Sequence, residues 1–188
     1  MTPQKEALFL FLNHYLAIAT FIGFVCVIIW TAKLILLKAG ILEKYKWTFE
    51  LFSSYVLPMG FFAALFSTIM SLIYSDYLGV LPCGLCWFAR IFIYSQVFIF
   101  GLAWYKNDKK ILDYILLLSG VGLIISLYHE YLQLGYSEFI PCPAIASTID
   151  CAKPTFISYG FVTFPFMAVV FFLITILLSI TYKMSKKS

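Results

Sequence analysis

Two pairs of cysteines in this sequence have a spacing that suits redox chemistry. Cys83 and Cys86 form a CxxC motif, and Cys142 and Cys151 follow with eight residues between them. A cysteine thiolate can attack a disulfide and pass it on through a mixed disulfide. Four cysteines can also bind zinc, but the second pair lacks the short spacing typical of zinc ligands. The pattern therefore favours thiol-disulfide exchange over a metal site.

The elements that carry these cysteines are predicted to be membrane helices. The chain of 188 residues is 63% hydrophobic and 20% aromatic, well above the roughly 45–50% apolar content of soluble domains. Long continuous apolar runs, rather than short alternating ones, indicate helices and not a β-barrel. Five runs reach the length of about 20 residues that spanning requires, and they cover 8–37, 51–75, 85–105, 111–131 and 157–182. The predicted fold class is an all-α integral membrane protein.

The distribution of basic residues predicts the orientation of the five spans. Ten of the thirteen lysine and arginine residues lie near or beyond the C-terminal ends of the first, third and fifth spans. Cytoplasmic flanks are enriched in these residues, so the N-terminus is expected outside and the C-terminus inside. All four paired cysteines then face the oxidising side, where disulfide chemistry is common. Cys26 lies in the middle of the first span and is expected to be an inert apolar filler.

The CxxC motif opens the third span. Proline is favoured in the first turn of a helix, so Pro82 predicts that Cys83 and Cys86 lie in that turn, on one face. The positive end of the helix dipole favours a thiolate there. Arg90 follows Cys86 by one turn on the same face and is expected to stabilise the Cys86 thiolate and a quinone oxygen. By itself, an arginine at this depth could also extend to the membrane interface.

The second cysteine pair lies in a long loop, from about 132 to 156, that contains three prolines. Alone, such a pair would be a structural loop disulfide. Next to a membrane-anchored pair on the same side, it is expected to exchange with a partner thiolate and then with Cys83 and Cys86. The sequence has no haem-attachment motif, dinucleotide fingerprint or iron-sulfur spacing. A lipid-soluble quinone is therefore the electron acceptor most compatible with it.

Polar side chains at the outer end of the fourth span lie at the same depth as the CxxC motif. They are His129, Glu130 and Gln133. His129 is a candidate donor to a quinone oxygen, although a single histidine at a membrane edge is more often an interfacial anchor. His14 is assigned to the interface.

Small residues in the second span predict close packing of helices. Ala63, Ser67 and Ser71 repeat every four residues beside Gly60 and Ala64. Such spacing lets helix backbones approach in lipid, and packing is preferred here over a chemical role.

Several stretches together resemble the disulfide bond formation protein B (DsbB) family, in particular its shorter-looped members known as BdbC. The matching residues are LPCGLCWFAR at 81–90, YHEYLQ at 128–133, the loop cysteines and GFVTFPF at 160–166, in the order of that family. The resemblance covers about 51–182. Vitamin K epoxide reductase relatives have their CxxC after the loop pair, so the order here points away from them.

The resemblance implies a four-helix bundle around the CxxC motif in a bacterial plasma membrane. It implies catalytic roles for all four paired cysteines, with Cys142 forming the mixed disulfide with a thioredoxin-fold, DsbA-like partner and Cys151 relaying to Cys83. A quinone, ubiquinone or menaquinone, would bind near Cys86, Arg90 and His129, with Gln133 also at the site.

Residues 1–50 add a helix and a cytoplasmic loop to the family core at 51–188. The function expected is reoxidation of an extracytoplasmic dithiol protein with reduction of quinone. Two rivals are a scaffold or transporter with structural disulfides and a reductase that sends electrons outward, since direction depends on reduction potentials.

Overall fold

The computed structural model describes residues 2–39, 46–139, 142 and 150–187, apart from the side chains of Lys46, Lys186 and Lys187. Five α-helices follow one another along the chain: α1 (Pro3–Lys38), α2 (Lys46–Leu72), α3 (Gly84–Lys106), α4 (Leu112–Gln133) and α5 (Phe164–Lys187). Within this described part, all five are long and apolar enough to cross a membrane. The predicted class and number of spans are confirmed.

Local sequence explains where the helices end. α2 passes into a π-helical turn, Ile73–Tyr77, before the chain turns at Gly79 with φ of 77°. α3 stops at Asn107, whose left-handed backbone (φ 51°) is a common way to end a helix. The side chain of Asp108 then accepts a hydrogen bond from the backbone N–H of Lys110 at 3.0 Å, which starts the next short turn. The connection between α3 and α4 is therefore very short.

The fifth helix starts later than the sequence predicted. Apolar composition suggested a start at 157, but Tyr159 and Gly160 both have positive φ, and Ser158 pairs with Val162 in a short bridge. This tight turn cannot continue a helix. The helix begins at Phe164, where the Thr163 hydroxyl accepts a hydrogen bond from the backbone N–H of Phe166 at 3.2 Å and so caps the first turn. The second helix, in turn, begins at Lys46 and not at 51.

Helices α2 to α5 form a closed four-helix arrangement. α2 contacts α3 and α5, and α4 contacts the same two helices. α1 lies outside this ring against α5, and its Trp30 ring packs on Phe49 and Phe52 of α2. The architecture is thus a four-helix core with one added helix.

The interior of the bundle combines apolar clusters with a polar cluster at mid-height. The Gln96 amide donates to the Ser119 hydroxyl at 3.2 Å, and Ser119 contacts the Thr175 hydroxyl at 2.9 Å. All three side chains have no solvent exposure. Because buried polar groups in lipid must pair within the protein, this cluster fixes how α3, α4 and α5 face one another.

Close packing of α4 against α5 depends on Gly122. A Cβ atom there would lie 2.3 Å from Phe172 Cζ, and Phe172 has no exposure. We expect Gly122→Ala to lower the free energy of unfolding by about 1–3 kcal/mol through overpacking. Gly120→Ala is the matched control, since nothing lies within 4 Å of its Cβ position. Thermal unfolding in detergent measures the stability of both variants. Equal unfolding midpoints for Gly122→Ala and Gly120→Ala would show that the Phe172 ring moves to make room for the added methyl group.

Candidate functional site

The CxxC motif caps the N-terminal end of α3. Cys83 is the N-cap residue, in an extended conformation (φ −75°, ψ 172°), and its sulfur accepts a hydrogen bond from the Cys86 backbone N–H at 3.3 Å. The two Sγ atoms are 2.8 Å apart. The sequence predicted that Pro82 lies in the first turn of the helix. The helix instead begins at Gly84, so Pro82 precedes it. Cys83 therefore lies directly at the positive end of the helix dipole.

His129 of α4 lies beside this pair. Its Nε2 atom is 3.4 Å from Cys83 Sγ, and the Gln133 amide nitrogen is 3.2 Å from the same Nε2 atom. A protonated Nε2 donates to the sulfur, whereas an unprotonated Nε2 accepts from the amide. The imidazole can therefore take or give a proton at Nε2 by changing its partner.

The Cys83 thiol is acidified by these neighbours. The side-chain hydrogen bond between the two cysteines lowers the pKa of Cys83 below the usual value of a cysteine; burial opposes the shift, and the hydrogen bond and charge of His129 add to it. A thiol of low pKa is a good leaving group in disulfide exchange.

Arg90 lies one turn further into α3. Its Nη2 donates to the Ser71 carbonyl of α2 at 3.3 Å, and its guanidinium carbon lies 5.2 Å from the centre of the Trp87 ring. These contacts hold the charge between two helices, next to Cys86. A cation placed this way can bind an oxygen of a ligand that enters from the side of Cys86.

The second cysteine pair forms a disulfide, Cys142–Cys151. Cys151 has no exposure and packs in the same cluster as Cys83 and Leu132, whereas Cys142 is half-buried. The structure thus brings the loop pair and the CxxC pair together. Pro141 and Pro143, which the loop prediction used, lie outside the described residues.

Zinc binding is the alternative role of these cysteines. The Cys142–Cys151 disulfide removes two thiolates, so a four-cysteine zinc site is not formed in this structure. The ligand atoms of Cys83, Cys86 and His129 do lie within 4.8 Å of one another. Reduced, this trio has donor types that zinc accepts, but structural zinc sites take four protein ligands.

A cavity of about 330 Å³ opens beside Cys86 and extends down the bundle. Its size falls within the range of small-molecule pockets, which are mostly apolar with few polar groups. The polar groups of the lining near the CxxC end include Arg90, His129, Ser71 and Ser126, and Thr20 and Ser67 also line the cavity. The rest of the wall is mainly apolar, contributed by residues such as Leu16, Ala63, Phe66, Ile93, Met167, Val170, Phe171 and Ile174.

Two features of this cavity were not predicted from the sequence. Ala63, Ser67 and Ser71 line the cavity, whereas the sequence predicted only a packing role for them. Their neighbours Gly60 and Ala64 are buried, as the packing prediction requires. Ser126 is 1% exposed, and its hydroxyl has no hydrogen-bond partner among the described residues. The signal for Ser126 was its position three residues before His129, on the same helical face.

The other polar residues singled out from the sequence lie outside the cavity wall. Glu130 is buried and accepts a hydrogen bond from the Thr163 hydroxyl, which ties α4 to the start of α5. Gln133 reaches the site through His129. His14 is exposed and contacts the Tyr15 ring, and Cys26 is a free, exposed thiol.

Comparison with known proteins identifies the family. The family model for disulfide bond formation protein DsbB matches residues 53–182, which include both cysteine pairs, Arg90 and His129. The chain belongs to the DsbB family. Like other members, it is a membrane protein of disulfide bond formation with an oxidoreductase role.

Named relatives of the DsbB family align with most of their own length. The SPbeta prophage-derived disulfide bond formation protein B of Bacillus subtilis (strain 168) is 39% identical over 112 residues, which are 60% of this chain and 74% of that protein. Disulfide bond formation protein C of the same strain is 34% identical over 116 residues, 61% of this chain and 82% of that protein. A probable disulfide formation protein C 1 of Bacillus anthracis is 35% identical over 119 residues, with shares of 63% and 85%. No solved structure matches significantly.

Proposed function

We propose that this protein oxidises an extracytoplasmic thioredoxin-fold, DsbA-like dithiol protein and passes the electrons through its two cysteine pairs to a membrane quinone. The observation that carries the proposal is the arrangement of both pairs in one cluster, with Cys86 on the wall of a largely apolar cavity. We further propose that the protein lies in a bacterial plasma membrane with its cysteine pairs on the outer side, as its lysine distribution indicates.

Exposure suggests the order in which the sulfurs react. A thiolate of the partner attacks Cys142, the more accessible loop sulfur, and Cys151 leaves as a thiolate. The second thiol of the partner, deprotonated, attacks the partner sulfur of the mixed disulfide. The partner leaves oxidised, and the loop pair holds two electrons.

The buried sulfur of Cys151 then attacks Cys83, with which it is packed. The Cys83–Cys86 bond breaks, and Cys86 leaves as a thiolate beside the Arg90 guanidinium. Cys142 attacks Cys151, which re-forms the loop disulfide and releases Cys83. The low pKa of Cys83 makes it a good leaving group in this step. The loop pair is oxidised again, and the CxxC pair is reduced.

The cavity fits a quinone head group. It combines an apolar wall with a cation at Arg90, a titratable ring at His129 and the unpartnered Ser126 hydroxyl, and such groups suit the two oxygens of a quinone. A bound quinone accepts two electrons and two protons. Arg90, His129 and Ser126 would hold its oxygens, and the reduced pair of Cys83 and Cys86 would supply both electrons as its disulfide re-forms. His129 would deliver one proton at Nε2, and, after taking up a proton from water at the CxxC end, the second as well.

Quinone reduction by the purified protein, given a reduced thioredoxin-fold dithiol, tests the proposal. Arg90→Ala is expected to lower kcat/KM for quinone by about 10- to 100-fold, because a hydrogen bond from a charged group contributes roughly 1.5–3 kcal/mol. Lys110→Ala, which removes an exposed cation outside the cavity wall, is the control and should leave the rate unchanged.

Two results would contradict the proposal. A scaffold or transporter would give no quinone reduction by the wild-type protein. A reductase would reduce the oxidised partner at the expense of quinol, and cells lacking it would accumulate oxidised rather than reduced partner.

A further inference from the structure

The added helix α1 forms part of the cavity wall, although it lies outside the residues that match the DsbB family model. Leu16, Ala19, Thr20 and Gly23 line the cavity. Their spacing of three and four residues places them on one face of the helix. The family core from α2 to α5 therefore supplies only part of the surface that a ligand in this cavity would meet.

Contacts at three heights hold α1 in one position. The Tyr74 hydroxyl donates to Asn13 Oδ1 at 2.7 Å, in a buried hydrogen bond between α1 and the π-helical turn that follows α2. Further along α1, a Cβ atom on Gly23 would lie 3.3 Å from Val170 Cγ1, so the two backbones approach closely there. Nearer its other end, the Trp30 indole donates to the Thr181 hydroxyl of α5 at 2.9 Å.

The opposite side of α1 has a different character. Ile22, Ile28 and Ile29 are all at least half exposed, as expected for side chains that face lipid. The face toward the cavity instead carries one leucine, Leu16, two small residues, Ala19 and Gly23, and the hydroxyl of Thr20. This asymmetry assigns one side of α1 to the bilayer and the other to the cavity contents.

The cavity extends well below the CxxC pair. Its lining on α5 runs from Phe164 to Ile174, a distance of about 15 Å at 1.5 Å per residue. Its deeper wall, formed by Gly23, Ala63, Val170 and Ile174, is apolar, whereas Arg90 and His129 lie near the outer end. A ligand with a polar head and an apolar tail would fit with the tail along α1.

We propose that α1 is a specificity-determining wall of the quinone site, against which the first isoprenoid units of the quinone tail pack. This inference rests on the proposed function. It assigns to the α1 face at positions 16 to 23 a role in distinguishing quinones that carry a tail from those that do not.

Replacement of two alanines of α1 by phenylalanine tests this role. Ala19 lines the cavity and Ala32 does not, and both are exposed residues of the same helix. We expect Ala19→Phe to raise KM for an isoprenoid quinone by about tenfold, because the larger ring takes the place of the tail and the tail loses its apolar contact with α1. KM for a tail-less benzoquinone should be unchanged. Ala32→Phe should change neither value. Thr20→Leu provides a second, independent change of the same wall.

A binding readout separates failure of this inference from failure of the proposed function. A photoreactive azido-quinone with an isoprenoid tail is cross-linked to the detergent-solubilised protein, and the labelled peptides are identified by mass spectrometry. Labelling of the segment 16–23, reduced in Ala19→Phe, supports the role of α1. Labelling confined to α2–α5 while the wild-type protein reduces quinone overturns the role of α1 alone. Absence of both labelling and quinone reduction overturns both proposals.

Discussion

Cys86→Ser is expected to abolish quinone reduction, lowering the rate by at least about 10³-fold, because removal of a reacting group from a catalytic unit costs several orders of magnitude. Cys86 is the cysteine that lines the cavity, so its sulfur is the one that can pass electrons to a bound acceptor. The loop disulfide does not depend on it. A stoichiometric reaction with reduced partner should still yield about one equivalent of oxidised partner, through Cys142 and Cys151 alone.

The free thiol of Cys26 supplies the control for this experiment. Cys26→Ser removes an exposed sulfur from α1, and Cys26 belongs to neither pair. Its quinone reduction should equal that of the wild-type protein. Turnover retained in Cys86→Ser would mean that electrons leave by another route, and the assignment of Cys86 as the terminal sulfur would be wrong.

Cys142→Ser is expected to lower the rate of oxidation of the protein partner by at least about 10³-fold. The reactivity of the membrane-anchored pair, Cys83 and Cys86, should be retained. Without Cys142 the loop offers no disulfide for the partner thiolate to attack. Dithiothreitol is small enough to reduce the Cys83–Cys86 bond directly, so it should still support quinone reduction at a measurable rate. Comparing the two electron donors in one quinone assay separates docking of the partner from the chemistry at the cavity.

Cys151→Ser tests which of the two loop sulfurs bonds to the partner. Since Cys151 is the buried member of the loop pair, its loss leaves Cys142, the more accessible of the two sulfurs, as a free thiol. Mixed with oxidised partner, this variant should form a stable disulfide through Cys142, visible on non-reducing gels. If Cys142→Ser forms that adduct instead, the order of the two loop sulfurs must be reversed.

The spans of this protein could be predicted because lipid imposes a simple condition on the sequence. Every helix that crosses the bilayer needs a long apolar run, and such runs are visible whatever the helices contact. The start of α5 was placed too early because the apolar run continues through Ile157 and Phe161, where backbone geometry at Tyr159 and Gly160 interrupts the helix. Composition carries no information on that turn.

The grouping of the site was only partly visible in the sequence. Arg90 and Cys86 could be related because they share a helix, and local spacing determines which residues share a face. The contact of His129 with Cys83, the wall formed by α1 and the cavity beside Ser126 depend on how separate helices rotate and tilt against one another. In lipid those choices depend on small side chains and single hydrogen bonds, which leave little pattern in one sequence.

The hydrogen bond from Trp30 to Thr181 joins the first membrane helix to the last, across 151 positions of the chain. A ribosome that adds about 5–20 residues per second needs on the order of 10–30 s to make that stretch. During this interval α1 is already in the bilayer, but its docking surface on α5 has not been synthesised. The completed cavity is therefore a late product of biogenesis, and a nascent chain halted before α5 would already hold its CxxC motif without an enclosed site beside it.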